Sequence, residues 1–170
     1  MYLDEIIAAQ KRGETRGVTS VCSAHPHVIK QTLKVCATFG VPPLIEATCN
    51  QVNQFGGYTG MTPQDFVGHV RRIAQETNYP FENIILGGDH LGPNVWQNEP
   101  ADSAMQKAKE MVRDYVQAGF TKIHLDCSMR LADDLQVVPN FKVIAKRAAE
   151  LAKVVEDTLT PDPSPKGRGE

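Results

Sequence analysis

No apolar run in the 170 residues comes near the roughly 20 needed to span a membrane. Basic excess is missing too: 18 Lys and Arg stand against 20 Asp and Glu, a formal net charge of −2. Nucleic-acid binding needs a concentrated basic face, so that class of partner is not expected. The opening Met1-Tyr2-Leu3-Asp4-Glu5 does not have the basic-then-apolar order of a secretion signal, and a cytoplasmic location is expected. Cysteines are few and scattered. Cys22, Cys36, Cys49 and Cys127 form no C-x-x-C pair, so neither a metal knuckle nor a disulfide framework is expected, and their ordinary reading is as small buried hydrophobes. With 41% hydrophobic and 22% charged residues, what remains is a folded, water-soluble chain.

What is present is a rhythm. After a helical opener over about 3–11, with Leu3, Ile6 and Ile7 on one stripe, strand-prone and helix-prone segments alternate. Strands are expected over 17–24, 43–50, 83–90 and 122–129. Helices are expected over 25–39, from Thr62-Pro63 to before Pro80, over 100–119 and from Val138 to about Leu159. The first of these is apolar at Val28, Leu33, Val35, Cys36 and Phe39, and the second carries Phe66, Val67, Val70, Ile73 and Ala74 at helical spacing. The third sets Ala104, Met105, Ala108, Met111, Val112, Tyr115 and Val116 on one broad face. One helix followed by four βα units implies a parallel sheet with right-handed crossovers. An open doubly wound sheet and a (βα)8 barrel both satisfy that order. Strand polarity favours the barrel. Glu46, Thr48 and Asn50 alternate with Ile45 and Ala47, and His124, Asp126 and Ser128 alternate with Ile123 and Leu125. A sheet covered by helices on both faces has apolar strands, whereas a barrel mouth is polar at the strands' C-terminal ends. A full barrel takes about 200–250 residues. The expectation is therefore half a barrel over 1–159, followed by a disordered tail over 160–170, TPDPSPKGRGE.

Chemistry concentrates at the expected strand ends. Gly87-Gly88-Asp89-His90 sets a proton-carrying carboxylate beside a zinc-type imidazole, and the glycines leave space around them. A strict strand would send Asp89 and His90 to opposite faces, but a chain curling into its loop can aim both into the mouth. The plainer alternative is a hydrogen-bonded turn pair. His25 and His27 flank Pro26 with a spacing that suits a metal or a phosphate, or simply a helix start. Glu46 is a candidate base or a partner in a buried ion pair. Asp126 and Ser128, with His124 below them, form an inward polar column that is either catalytic or a satisfied network. The long loop over 49–62 is rich in amides and glycines and suits hydroxyl or phosphate binding, or a mobile surface role; Trp96 is a lid, an anchor or a buried loop residue. No G-x-x-x-x-G-K-[ST] occurs, so the loop is not a nucleotide-phosphate loop.

Five segments occur in order: 21–26 (VCSAHP), 45–54 (IEATCNQVNQ), 56–63 (GGYTGMTP), 87–94 (GGDHLGPN) and 119–126 (GFTKIHLD). Together they closely resemble the accessory, non-catalytic subunit family of class II D-tagatose-1,6-bisphosphate aldolase, sometimes labelled tagatose 6-phosphate kinase. The likeness is strongest over Met1 to Met129. It implies the TIM-barrel fold of the class II aldolases, with this chain supplying about the first four βα units. It implies Asp89 as the proton-handling acid and His90 as a Zn²⁺ ligand. From the residues themselves, His25 or His27 is expected to accompany His90 on a metal, and Glu46, Asn50, Asp126 and Ser128 are expected to contact substrate. One histidine does not complete a catalytic zinc site, so no metal is expected in this piece alone. The implied role is to stabilise a separate catalytic subunit in carbohydrate catabolism. Zinc-dependent cleavage of a ketose bisphosphate by the chain itself and an inactive product of an interrupted gene are the alternatives. Self-association of the open half barrel is a further expectation, because its sheet edges are bare. The 130–135 segment, RLADDL, is more charged than the family pattern leads one to expect.

Overall fold

A computed structural model describes residues 2–135 and 140–160. The element order is α1 (Tyr2–Lys11), β1 (Ser20–Cys22), α2 (Pro26–Phe39), β2 (Leu44–Thr48), α3 (Pro63–Glu76), β3 (Ile85–Leu91), α4 (Ala101–Gln117), β4 (Lys122–Leu125) and α5 (Phe141–Leu159), with short 3₁₀ turns before α3, β3 and α4. The expected start of the last helix at Val138, and the tail beyond Thr160, lie outside the described residues. No helix among the described residues is long and apolar enough to cross a membrane.

The four strands pair in parallel and in sequence order, β1-β2-β3-β4. Every crossover between these strands therefore steps the same way, and among the described residues the sheet has no switch point of the doubly wound kind. Local chemistry explains the boundaries. Thr62 and Asp65 form a reciprocal capping box at the start of α3, and His25 caps α2 by accepting the backbone N–H of His27 at its Nδ1. Gly40, at φ 63°, ends α2 in the left-handed conformation that L residues resist. Two strands are shorter than the composition suggests: β1 keeps only Ser20–Cys22 of 17–24, and β4 ends at Leu125 rather than Met129.

The core lies between the sheet and α3 and α4. Ile45 and Ala47 of β2 are fully buried there, as are Phe66, Val70, Ala108, Met111 and Tyr115 from the helices. Phe120 stacks on Phe66 at 6.0 Å and meets Tyr115 at 4.5 Å, tying the start of β4 to both helices. The apolar stripes expected on α3 and α4 are the buried ones. On α1 and α2 the outcome differs: Ile7, Val28, Val35 and Phe39 are exposed, and Ile29 and Leu33 carry the burial of α2. All four cysteines are free thiols. Cys49 and Cys127 are buried and Cys36 is half-buried, but Cys22 is exposed, on the polar side of the sheet and away from the core.

Candidate functional site

Asp89 and His90 end β3, where the strand departs from regular pairing. Gly88 pairs with Ile123 and Leu91 with Leu125, so β3 uses three steps where β4 uses two. That extra residue is a bulge, which bends the strand and re-aims side chains. His90 sits at φ 50°, in a region that non-glycine residues rarely occupy. The Cys49 thiol donates to the His90 carbonyl at 3.1 Å, and the Asp126 N–H donates to the Leu91 carbonyl at 2.9 Å, fixing the backbone on both sides. The glycines before the pair are space for neighbours. A Cβ on Gly87 would lie 2.7 Å from Cγ of Glu46, and one on Gly88 would lie 2.9 Å from Cγ of Leu91.

The bulge brings four side chains together. His124 Nδ1 donates to Asp89 Oδ1 at 2.9 Å, and His90 Nδ1 donates to Asp126 Oδ2 at 2.9 Å. His90 Nε2 lies 3.9 Å from Asp89 Oδ1, and the two imidazoles meet edge to face at 4.6 Å. Asp126 Oδ1 also accepts the backbone N–H of Ser128 at 2.8 Å. Burial pushes the Asp89 carboxyl up. The hydrogen bonds from His124 and Cys22 and the charges of His90 and Lys122 outweigh it, holding Asp89 below the usual carboxylate range. Asp126 follows the same pattern: burial raises it, and the bonds from Ser128 and His90 bring it below its ordinary value. Both carboxylates are anionic acceptors near neutral pH. Partial desolvation against the sheet, followed by the Asp89 charge, pushes the Cys22 thiol up to about 12, so it stays protonated.

Deeper in the same polar face, Glu46 is 2% exposed. Its Oε1 is 2.6 Å from Lys122 Nζ, and its other oxygen accepts from the Ser20 hydroxyl. These contacts make Glu46 one half of a buried ion pair. Asn50 is exposed at the start of the β2–α3 loop, where its carbonyl accepts the Tyr58 N–H at 2.9 Å. The loop's other amides are turned inward. Asn53 donates to the Cys49 carbonyl and accepts from Phe55 and Gly57, Gln51 accepts from the Thr48 N–H, and Gln54 donates to Lys107. Trp96 is buried, with Phe55 packed edge-on at 6.2 Å. His25 and His27 stand 5.5 Å apart and line a groove with Val28 and Val35; they are not among the donors gathered at Asp89. The charges of 130–135 are structural in part: Asp134 grips Arg147 at 2.6 and 2.9 Å, and Asp133 caps α4 through the Ala101 N–H at 2.8 Å.

The sequence sets His124 in the polar column below Asp126 and Ser128 but gives no sign of its bond to Asp89. Its alternation with Asp126 places it on the polar face, but its meeting with Asp89 depends on the pairing of β3 and β4. Asp89, His90 and His124 each offer a donor atom within 4.8 Å of the others. Two imidazoles and a carboxylate are donor types that zinc takes, so the residues fit such an ion.

A parallel α/β wall with a His–Asp cluster at the C-terminal ends of its strands is the layout of α/β enzymes and their relatives. The sequence matches the family described as D-tagatose-1,6-bisphosphate aldolase subunit GatZ/KbaZ-like over residues 3–166, and the chain belongs to that family. It is 58% identical over 158 residues to a protein of Salmonella gallinarum (strain 287/91 / NCTC 13346) named D-tagatose-1,6-bisphosphate aldolase subunit GatZ, covering 93% of this chain and 37% of that one. The protein of the same name from Salmonella enteritidis PT4 (strain P125109) gives the same 58% identity and coverage. Among solved structures, a probable tagatose 6 phosphate kinase from Sinorhizobium meliloti 1021 superposes with a TM-score of 0.82 at 54% identity, covering 84% of this chain and 37% of that one. The chain thus spans 37% of the length of these curated relatives.

Proposed function

We propose that this chain supplies the first four βα units of a (βα)8 barrel subunit that supports a separate catalytic subunit of D-tagatose-1,6-bisphosphate aldolase. The observation that carries the reading is the family match over 3–166. The sequential parallel order of the strands and the polar set at their C-terminal ends support the barrel. The partner is a catalytic aldolase subunit in the cytoplasm, with neither nucleic acid nor membrane involved. The test is co-purification of the two chains, with the catalytic subunit's activity followed after heating. Binding and slower thermal inactivation are expected; no binding and unchanged inactivation reject the proposal.

The gathering of Asp89, His90 and His124 favours a second reading, in which the chain itself takes part in zinc-assisted aldol cleavage of a ketose bisphosphate. A bound zinc ion would polarise a carbonyl oxygen as a Lewis acid. His90 would help hold it, and Asp89, anionic at rest, would take up a proton before returning it. Asp126 orients His90 through Nδ1. Absence of both bound zinc and cleavage, measured alongside Asp89→Asn, rejects this reading.

A further inference from the structure

We propose that Asp89, His90 and His124 form a complete three-donor site for a divalent cation, with His124 as the third protein ligand. The inference rests on the zinc reading for the class of ion. It also reassigns Asp89, which becomes a ligand instead of the proton carrier that the resemblance implies.

The geometry carries it. His124 Nδ1 and Asp89 Oδ1 are 2.9 Å apart, Asp89 Oδ1 and His90 Nε2 are 3.9 Å apart, and the three donors all fall within 4.8 Å. Tetrahedral zinc with bonds near 2.0–2.1 Å sets neighbouring donors about 3.4 Å apart, so side-chain shifts of about 1 Å close the set. Asp126 occupies Nδ1 of His90, which fixes the tautomer that leaves the Nε2 lone pair facing Asp89. Both imidazoles are exposed, so the fourth coordination position opens to water or substrate. Without the ion, the proton on His124 Nδ1 bridges to Asp89; on binding, Nδ1 gives up that proton while Nε2 takes one from solvent, so the neutral ring changes tautomer and the freed Nδ1 lone pair and the Asp89 oxygen both turn to the metal.

The test titrates the chelator-treated full chain with Zn²⁺ by calorimetry and with Co²⁺ by visible absorption. One ion per chain is expected, with a cobalt spectrum of nitrogen and oxygen donors. His124→Ala should weaken binding by about 100-fold or more, and Asp126→Asn by about 10- to 100-fold. The double variant His25→Ala/His27→Ala should bind as the parent does. Circular dichroism melts show whether each variant is folded, and the cobalt spectrum of the parent chain needs no variant at all. Full-strength binding by folded His124→Ala, an intense thiolate charge-transfer band that places Cys22 on the metal, or no binding up to about 100 μM Zn²⁺ overturns the assignment. Metal binding without aldol cleavage leaves it standing and rejects only the zinc-aldolase reading.

Discussion

Replacing Lys122 by methionine isolates the part played by Glu46. The Glu46 carboxylate is 2% exposed, faces Gly87, and is answered by the Lys122 ammonium at 2.6 Å and the Ser20 hydroxyl. Lys122→Met keeps the aliphatic stem and removes the charge, leaving a buried carboxylate with one hydroxyl partner. Breaking a fully buried pair from one side costs about 3–5 kcal/mol. The Lys122 side chain is 29% exposed, so solvent screens part of the attraction and the expected loss is about 2–3 kcal/mol.

Glu46→Gln acts differently, because it preserves size beside Gly87 and leaves a lysine that can turn to water. Its expected cost is about 1 kcal/mol. Combining the two substitutions removes both charges, so the double variant should recover about 1–2 kcal/mol relative to the sum of the single losses. Urea unfolding followed by circular dichroism at pH 7 reads all four chains, and for a chain of this size about 2–4 °C of Tm accompanies each kcal/mol. A Lys122→Met chain within about 0.5 kcal/mol of the parent, or strict additivity in the double variant, refutes the ion-pair account. In that event Glu46 is free to serve a ligand, and Glu46→Gln should lower ligand affinity without touching stability.

Other outcomes follow from the same wall. Tyr115→Phe removes a fully buried hydroxyl that donates to the Val52 carbonyl at 2.9 Å, so a loss of about 1–2 kcal/mol is expected, with faster proteolysis of the β2–α3 loop as the second readout. Gly92→Ala pushes a methyl into the Asp126 carbonyl; at φ 176° the conformation itself is ordinary, so the clash alone should cost about 3 kcal/mol or more in urea unfolding. Asp89 and Asp126 have folded pKa values below their ordinary ones, so the stability they contribute is complete above the usual carboxylate range and is lost as pH falls through their folded values. Unfolding curves should therefore weaken below about pH 4, and Asp126→Asn should flatten that decline.

Where structure is decided locally, the sequence was legible. Thr62, Pro63 and Asp65 announce the start of α3 because a cap and its reciprocal carboxylate sit within four residues of each other. The broad apolar face of α4 reads correctly because that helix lies directly on the sheet. The same periodicity misleads on α2: a stripe records which residues are apolar, not what packs on them, and Val28, Val35 and Phe39 meet no cover among the described residues. The site shows the sharper limit. Asp89-His90 was visible as a motif, yet two-residue parity sends adjacent strand residues to opposite faces. One extra residue between Gly88 and Leu91 breaks that parity, places His90 in a left-handed conformation and sets both imidazoles beside Asp89. Bulges arise from pairing with a neighbouring strand, here one more than thirty residues away in the chain, and so leave no local signature. The partnership of His124 with Asp89 could therefore be found only once β3 and β4 were aligned, and any account of this site from motif alone is short of one imidazole.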